Sequence, residues 1–245
     1  MKRSLAPALV LIAAIALTAW TEPPKGYLPV GGHPDGQKIL PPPPEIGSPT
    51  WKAELAQFEA TRALEDSPRW AQAIRDTDLS GQEVFHGFSC AAGVTLGPDT
   101  TPVLAQMLLR LIHDARPLYN PPKDFYARKR PAVGNSAPIC VPREPWLETN
   151  GSYPSGHAMI GYSWSLILAE LAPNRATELT IRGREFGDSR AICGVHWQSD
   201  VDAGRTLAAA LVARLHADPG FMSDMATAKA EVEAARKLGA PEGCP

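Results

Sequence analysis

The stretch His157-Ala-Met-Ile-Gly-Tyr-Ser-Trp-Ser-Leu-Ile-Leu-Ala-Glu-Leu171 is apolar almost all the way round a helical wheel. Ile160, Tyr162, Trp164, Leu166 and Ile167 leave it no broad polar face, so it predicts a helix surrounded by other helices. Working back towards the N-terminus, Trp51, Leu55 and Phe58 follow i, i+4, i+7 spacing, and Trp70 and Ile74 resume the pattern after Ser67-Pro68. Leu104, Leu108, Leu111 and Ile112 mark a further amphipathic helix that begins near Thr101-Pro102. Working forward, Pro173 opens a more polar helix to about Ile192, and Leu207, Leu211 and Leu215 form another stripe. The Ala-rich stretch from Asp224 to Leu238 reads as a surface helix. No strand-like alternation of any length occurs, so the expected fold is all-α: a single-domain helical bundle.

The chain of 245 residues suits one such domain, and 44% hydrophobic with 20% charged residues is ordinary for a globular core. A net charge of −2 carries no basic excess, which argues against nucleic acid as a partner. Met1-Lys2-Arg3 followed by the apolar run Ala8 to Ala19 reads as a cleaved signal peptide over residues 1–20, so the expected location is periplasmic or secreted. The run is too short and too isolated for stable membrane insertion, and Trp20 stands where a lipoprotein signal needs its Cys. Residues 21–49 form a Pro- and Gly-rich extended arm that includes Pro41 to Pro44, laid over the domain or towards a neighbouring subunit. Residues 50–245 are then the helical domain. Export permits disulfides among Cys90, Cys140, Cys193 and Cys244, and the sequence leaves all three pairings open.

One long irregular segment, from Pro131 to Pro154, interrupts the helices; a loop of that length in a compact domain is usually functional or disordered, and what flanks it decides for function. Three polar clusters flank it in order: Lys123 with Arg130-Pro131; Pro154-Ser155-Gly156-His157; and Ser189-Arg190 with His196 and Asp200. Lys123, Arg130 and Arg190 supply the positive charge that phosphoryl transfer needs around its equatorial oxygens. Ser155 and Gly156 sit where a loop meets a helix, so free backbone N–H groups and the positive helix end are available to an anion. Asp200, four residues after His196, falls on the same face if that segment is helical; it can fix the imidazole tautomer and leave the other nitrogen to attack phosphorus. His157 is then free to protonate the leaving group, which points to best activity at mildly acidic pH, with His157 protonated and His196 not. Taken alone, each residue has a plainer role: a solvated cation, a packed histidine, or, for Asp200, the cap of the following helix. Their joint spacing is what points to catalysis.

These clusters resemble the three-part signature of the type-2 phosphatidic acid phosphatase superfamily, which includes bacterial non-specific acid phosphatases and vanadium haloperoxidases. More narrowly, Gly187 to Asp200, Leu40 to Pro44 and Arg69-Trp70 with the Ala-Gln that follows are similar to the class A bacterial non-specific acid phosphatases, a likeness that runs from about Tyr27 to His216. The resemblance implies an α-helical bundle that holds phosphate with Lys123, Arg130, Ser155, Gly156 and Arg190. It also implies His196 as nucleophile, His157 as acid and Asp200 as orienter. The expected activity is hydrolysis of a broad range of phosphomonoesters through a phosphohistidine, with transfer to alcohols as a second outcome and with no cofactor or metal. The arm and the resemblance together imply a homo-oligomer such as a dimer. The alternatives are a vanadium-dependent haloperoxidase, though those enzymes are usually much longer, and a non-catalytic phosphate-binding protein, which would need neither His157 nor Asp200. Asp76-Thr77-Asp78 imitates the nucleophile motif of magnesium-dependent phosphatases, but it follows a helical pattern rather than a strand. The segment Ala132 to Tyr153 and the residues around Phe88 are expected to shape the organic end of the substrate.

Overall fold

The structure is a computed structural model that describes residues 25–79 and 82–244. The signal peptide expected over residues 1–20, with Trp20, lies outside those residues. The described residues contain ten α-helices and no strand, as the all-α expectation requires. Helix α7 (Gly156–Leu171) is the axis. Ser155 caps it by accepting the Ala158 N–H at 3.3 Å, and Pro173 cannot continue it beyond Ala172. Met159, Ile160, Trp164, Ile167 and Leu168 are all buried, as the all-round apolar pattern demands.

Helices α8 (Ala176–Ile192) and α9 (Gln198–Leu215) pack along α7, with α5 (Pro102–Tyr126) also against it. The approach of α7 to α8 depends on two glycines. A Cβ on Gly161 would enter the Phe186 ring, and one on Gly183 would enter the Ser165 side chain. From α4 (Gln82–Ala92), Phe88 meets the Trp164 and Phe186 rings at centroid distances of 6.0 Å. Phe88 itself is therefore core, 1% exposed. Its aromatic partners lie more than seventy residues away in sequence, and local pattern does not reveal them.

Helix α5 runs well past Ile112, through Pro117, Pro121 and Pro122 to Tyr126. An interior proline costs roughly 3 kcal/mol of helix stability. The complete burial of Leu118 and the burial of Pro122 offset this, and tertiary packing overrides local propensity. The extension carries Lys123 to the last turn, which ends at Ala127 in the left-handed region at φ 44°. The Ala-rich helix α10 starts earlier than expected, at Pro219, and is not merely superficial. It buries Phe221, Met225, Ala228, Val232 and Ala235, a stripe partly hidden in sequence because alanines carry it. Helices α2 (Pro49–Thr61) and α3 (Pro68–Arg75) form where expected, capped by Ser48 and Ser67.

The arm lies on α5. Buried Asp114 accepts the Tyr27 and Leu28 N–H groups at 2.7 and 3.0 Å and stands 3.2 Å from His33 Nε2. One helical turn, α1 (Gly36–Ile39), precedes the extended prolines, where the Tyr153 hydroxyl donates to Pro41 O at 2.7 Å. The cysteines pair as Cys90–Cys244 and Cys140–Cys193. Within the irregular segment lies one short helix, α6 (Trp146–Thr149). No described helix is long and apolar enough to cross a membrane.

Candidate active site

The fold brings the three sequence clusters to one end of the bundle. Lys123 comes from the last turn of α5, Arg130 from the loop after it, and Ser155, Gly156 and His157 from the start of α7. Arg190 comes from the last turn of α8, His196 from the α8–α9 connection, and Asp200 from the first turn of α9. Lys123, Arg130, Ser155, Arg190, His196 and Asp200 are each no more than 5% exposed. The Ser155 N–H donates to Asp200 O at 2.8 Å, which ties the second cluster to the third. Gly156 passes close to Tyr119, whose ring carbons would lie 3.1 Å from a Cβ there.

His196 Nδ1 lies 3.3 Å from Asp200 Oδ2, and Arg130 Nη1 lies 3.0 Å from His196 Nε2. A guanidinium can only donate, so Nε2 presents its lone pair and Nδ1 carries the proton that Asp200 accepts. The route to this geometry differs from the expected one. His196 is not helical: α9 begins at Gln198, with Trp197 as its N-cap. Asp200 Oδ2 accepts the Trp197 N–H at 2.8 Å and reaches the His196 ring from that position. Capping the helix and contacting the imidazole are not alternatives, because one carboxylate oxygen does both.

Electrostatics follow from burying several cations together. Burial first, then Arg130 and Lys123, push His196 well below the usual imidazole range. Burial and then Arg190 do the same to His157, whose Nε2 lies 3.0 Å from the Thr77 carbonyl. The surroundings of both rings therefore favour the neutral imidazole as the site stands. For His157, expected to act as the protonated acid, burial first and then the neighbouring cations work against the charged form. Burial, reinforced by Arg130, lowers Lys123 to about 7, where its ammonium donates to Gly151 O at 2.6 Å. Burial lowers Arg130 and Arg190 to about 10. Arg190 Nε and Nη1 are buried and find no hydrogen-bond partner among the described residues. A guanidinium in that position can receive two oxygens of an anion.

Other contacts at the site escaped the sequence. Asp200, fully buried and pushed up by that burial, is opposed by Arg128 Nη1 at 2.6 Å on Oδ1 and by the Ser152 hydroxyl on Oδ2. Arg128 Nη2 in turn lies 2.8 Å from Glu54 Oε2 on α2. Arg128 sits inside the spacer between Lys123 and Arg130, where nothing distinguishes it from a solvated cation. Asp76 is the C-cap residue of α3, and it accepts from Arg182 and from Ser189 Oγ at 2.6 Å, so the helix-end reading of that motif holds. The segment from Ala132 to Glu148 lines a cavity of about 650 Å³ with Asn135, Arg143 and Leu147, and none of the sequence-predicted site residues belongs to its wall.

A family model described as the PAP2 superfamily matches residues 102–221. An acid phosphatase of Zymomonas mobilis subsp. mobilis is 42% identical over 83% of this chain and 78% of its own length. A non-specific acid phosphatase of Providencia stuartii is 38% identical over 89% of this chain and 88% of its own. One from Salmonella typhimurium is 39% identical over 86% of this chain and 85% of its own.

Proposed function

We propose, for a chain that belongs to the PAP2 superfamily and stands with its non-specific acid phosphatases, that it hydrolyses phosphomonoesters by way of a phosphorylated His196. The observation that carries the mechanism is the convergence of buried Lys123, Arg130 and Arg190, two of whose nitrogens have no partner among the described residues, on two histidines whose surroundings favour the neutral form. A phosphate group supplies the anion those cations lack, with Ser155 and Gly156 adding donors at the α7 N-terminus.

Arg130 Nη1 donates to His196 Nε2 as the site stands. A phosphoryl oxygen competes for that donor and frees the Nε2 lone pair to attack phosphorus. The P–N bond forms as the P–O bond to the organic group breaks, and Asp200 supports the positive charge that develops on the imidazole. The phosphate charge also offsets the cations around His157, which lets that ring hold a proton and pass it to the departing alkoxide. Neutral His157 then takes a proton from water, whose oxygen attacks the phosphohistidine and releases inorganic phosphate. Another hydroxyl in place of water gives transfer to an alcohol. No step calls for a metal, and EDTA should leave the rate unchanged; strict dependence on added Mg²⁺ or Zn²⁺ overturns this reading.

Rapid quench of the enzyme with labelled aryl phosphate into alkaline detergent, in which a phosphohistidine survives, tests the nucleophile. Label on His196 of the wild type and none in His196→Ala is expected; label persisting in the variant moves the nucleophile elsewhere. Met1 to Ala19 supports export, to be checked by N-terminal sequencing of the mature chain from fractionated cells. We also read the protein as a homo-oligomer, which sedimentation equilibrium measures directly.

A further inference from the structure

Beyond the residues that face phosphate, a buried ionic chain reaches the catalytic carboxylate from the opposite side. Arg128 holds Asp200 Oδ1 at 2.6 Å with one nitrogen and Glu54 Oε2 at 2.8 Å with another. Glu54 Oε1 accepts the Ser199 N–H at 2.6 Å, so α2 grips the first turn of α9, the turn that carries Asp200. Glu54 is 5% exposed and Asp200 is not exposed at all. Arg128 also lies over the Trp197 ring, 5.4 Å from its centroid. A surface ion pair contributes little, but a buried carboxylate must be matched by a partner of good geometry. Here one guanidinium is shared between two carboxylates that lie on either side of it.

We propose that Glu54 and Arg128 are positioning residues that act through Asp200, holding its carboxylate so that Oδ2 is presented to His196 Nδ1. The inference rests on His196 being the nucleophile. The guanidinium fixes the carboxylate plane from Oδ1, and Ser152 Oγ and the Trp197 N–H fix it from Oδ2. Glu54 has a second effect. By drawing on the same guanidinium it leaves more of the Asp200 charge for the imidazole, which becomes cationic as phosphorus is attacked. The charged and titratable groups around Asp200 are Arg128 and Glu54 behind it, and His196, Lys123, Arg130 and Tyr153 on the other sides. Of these, Arg128, Glu54 and Tyr153 have no part in holding the substrate or in the chemistry, and Tyr153 donates its hydroxyl to Pro41 O instead.

The test compares Glu54→Gln, Arg128→Lys and Arg128→Met with wild type, using steady-state kinetics on an aryl phosphate and competitive inhibition by inorganic phosphate. Orienting contacts behind a catalytic ligand are commonly worth about 10- to 100-fold in activity. A fall of that size in kcat, with KM and the phosphate inhibition constant within about twofold, is expected for Arg128→Met and Glu54→Gln. Arg128→Lys should recover part of the loss, because an ammonium supplies charge without the fork. The acid limb of the kcat profile should move to higher pH in Arg128→Met, where Asp200 has lost its counter-charge. Wild-type kcat and pH profile in both Glu54→Gln and Arg128→Met overturn the proposal. So does a loss of phosphate inhibition parallel to the loss of kcat, which marks a collapsed site. Phosphohistidine trapping on the wild type is run alongside: no label on wild-type His196 removes the nucleophile reading itself, whereas normal label with unchanged variants removes only the positioning role.

Discussion

Lys123 is a cation held where water scarcely reaches, and its lowered value of about 7 gives a pH dependence with a definite sign. Below about 7 the ammonium is charged and contributes to anion binding; above it the amine is neutral and that contribution fades. Competitive inhibition by inorganic phosphate should therefore weaken as pH rises from 6 to 8.5, by more than the phosphate's own second ionisation explains. Lys123→Met should flatten the excess. Arg190 has a different cost, because two of its nitrogens are buried without partners among the described residues. Arg190→Met should remove activity yet leave the melting temperature unchanged or raised, since an imperfectly paired buried charge is exchanged for an apolar chain of similar length. Calorimetry beside a phosphatase assay decides this, and a large drop in melting temperature contradicts it. At this scale the residues in contact with phosphate were legible because they fall in short ordered clusters. Arg128 and Glu54 were not, because an ion pair between residues 74 apart leaves no local mark.

Among the elements, the packing of α7 on α8 is the most constrained feature. Gly161 and Gly183 let the two backbones come close, and Gly183→Ala drives a methyl group into Ser165. Overpacking of that kind costs about 1–3 kcal/mol. Urea unfolding should show a loss in that range for Gly183→Ala, with a nearly unchanged m-value. The helices themselves were legible where large apolar side chains recur at helical spacing, as in α2, α7 and α9. They were less so where prolines interrupt α5 or alanines carry the buried stripe of α10, because there the stabilisation comes from neighbours rather than from the segment. His196 shows the same limit. Its spacing to Asp200 suits a shared helix face, and the contact is made instead by a helix start that folds its cap back onto the preceding residue.

Across the whole molecule, two bridges tie distant parts of the chain. Cys140–Cys193 closes a loop of sequence separation 53, and it joins the irregular segment after Arg130 to the residues just before His196. Chain-entropy reasoning gives roughly 4 kcal/mol for such a closure. Cys140→Ser with Cys193→Ser should lower unfolding stability by an amount of that order and reduce kcat with it. Replacing Cys90 on α4 and its partner Cys244, neither of which is a site residue, should lower stability with a smaller effect on turnover. Chemical denaturation and turnover assays on both double variants separate the two effects. The single carboxylate oxygen by which Asp200 both caps α9 and meets His196 has a further consequence, for inheritance rather than for chemistry. In a population of variants sorted only for resistance to proteolysis, with no assay of turnover, Arg190 is free to drift towards apolar residues while Asp200 is retained. A descendant that has lost its activity would still carry the aspartate, and its presence in a sequence reports a folded ancestor before it reports a working one.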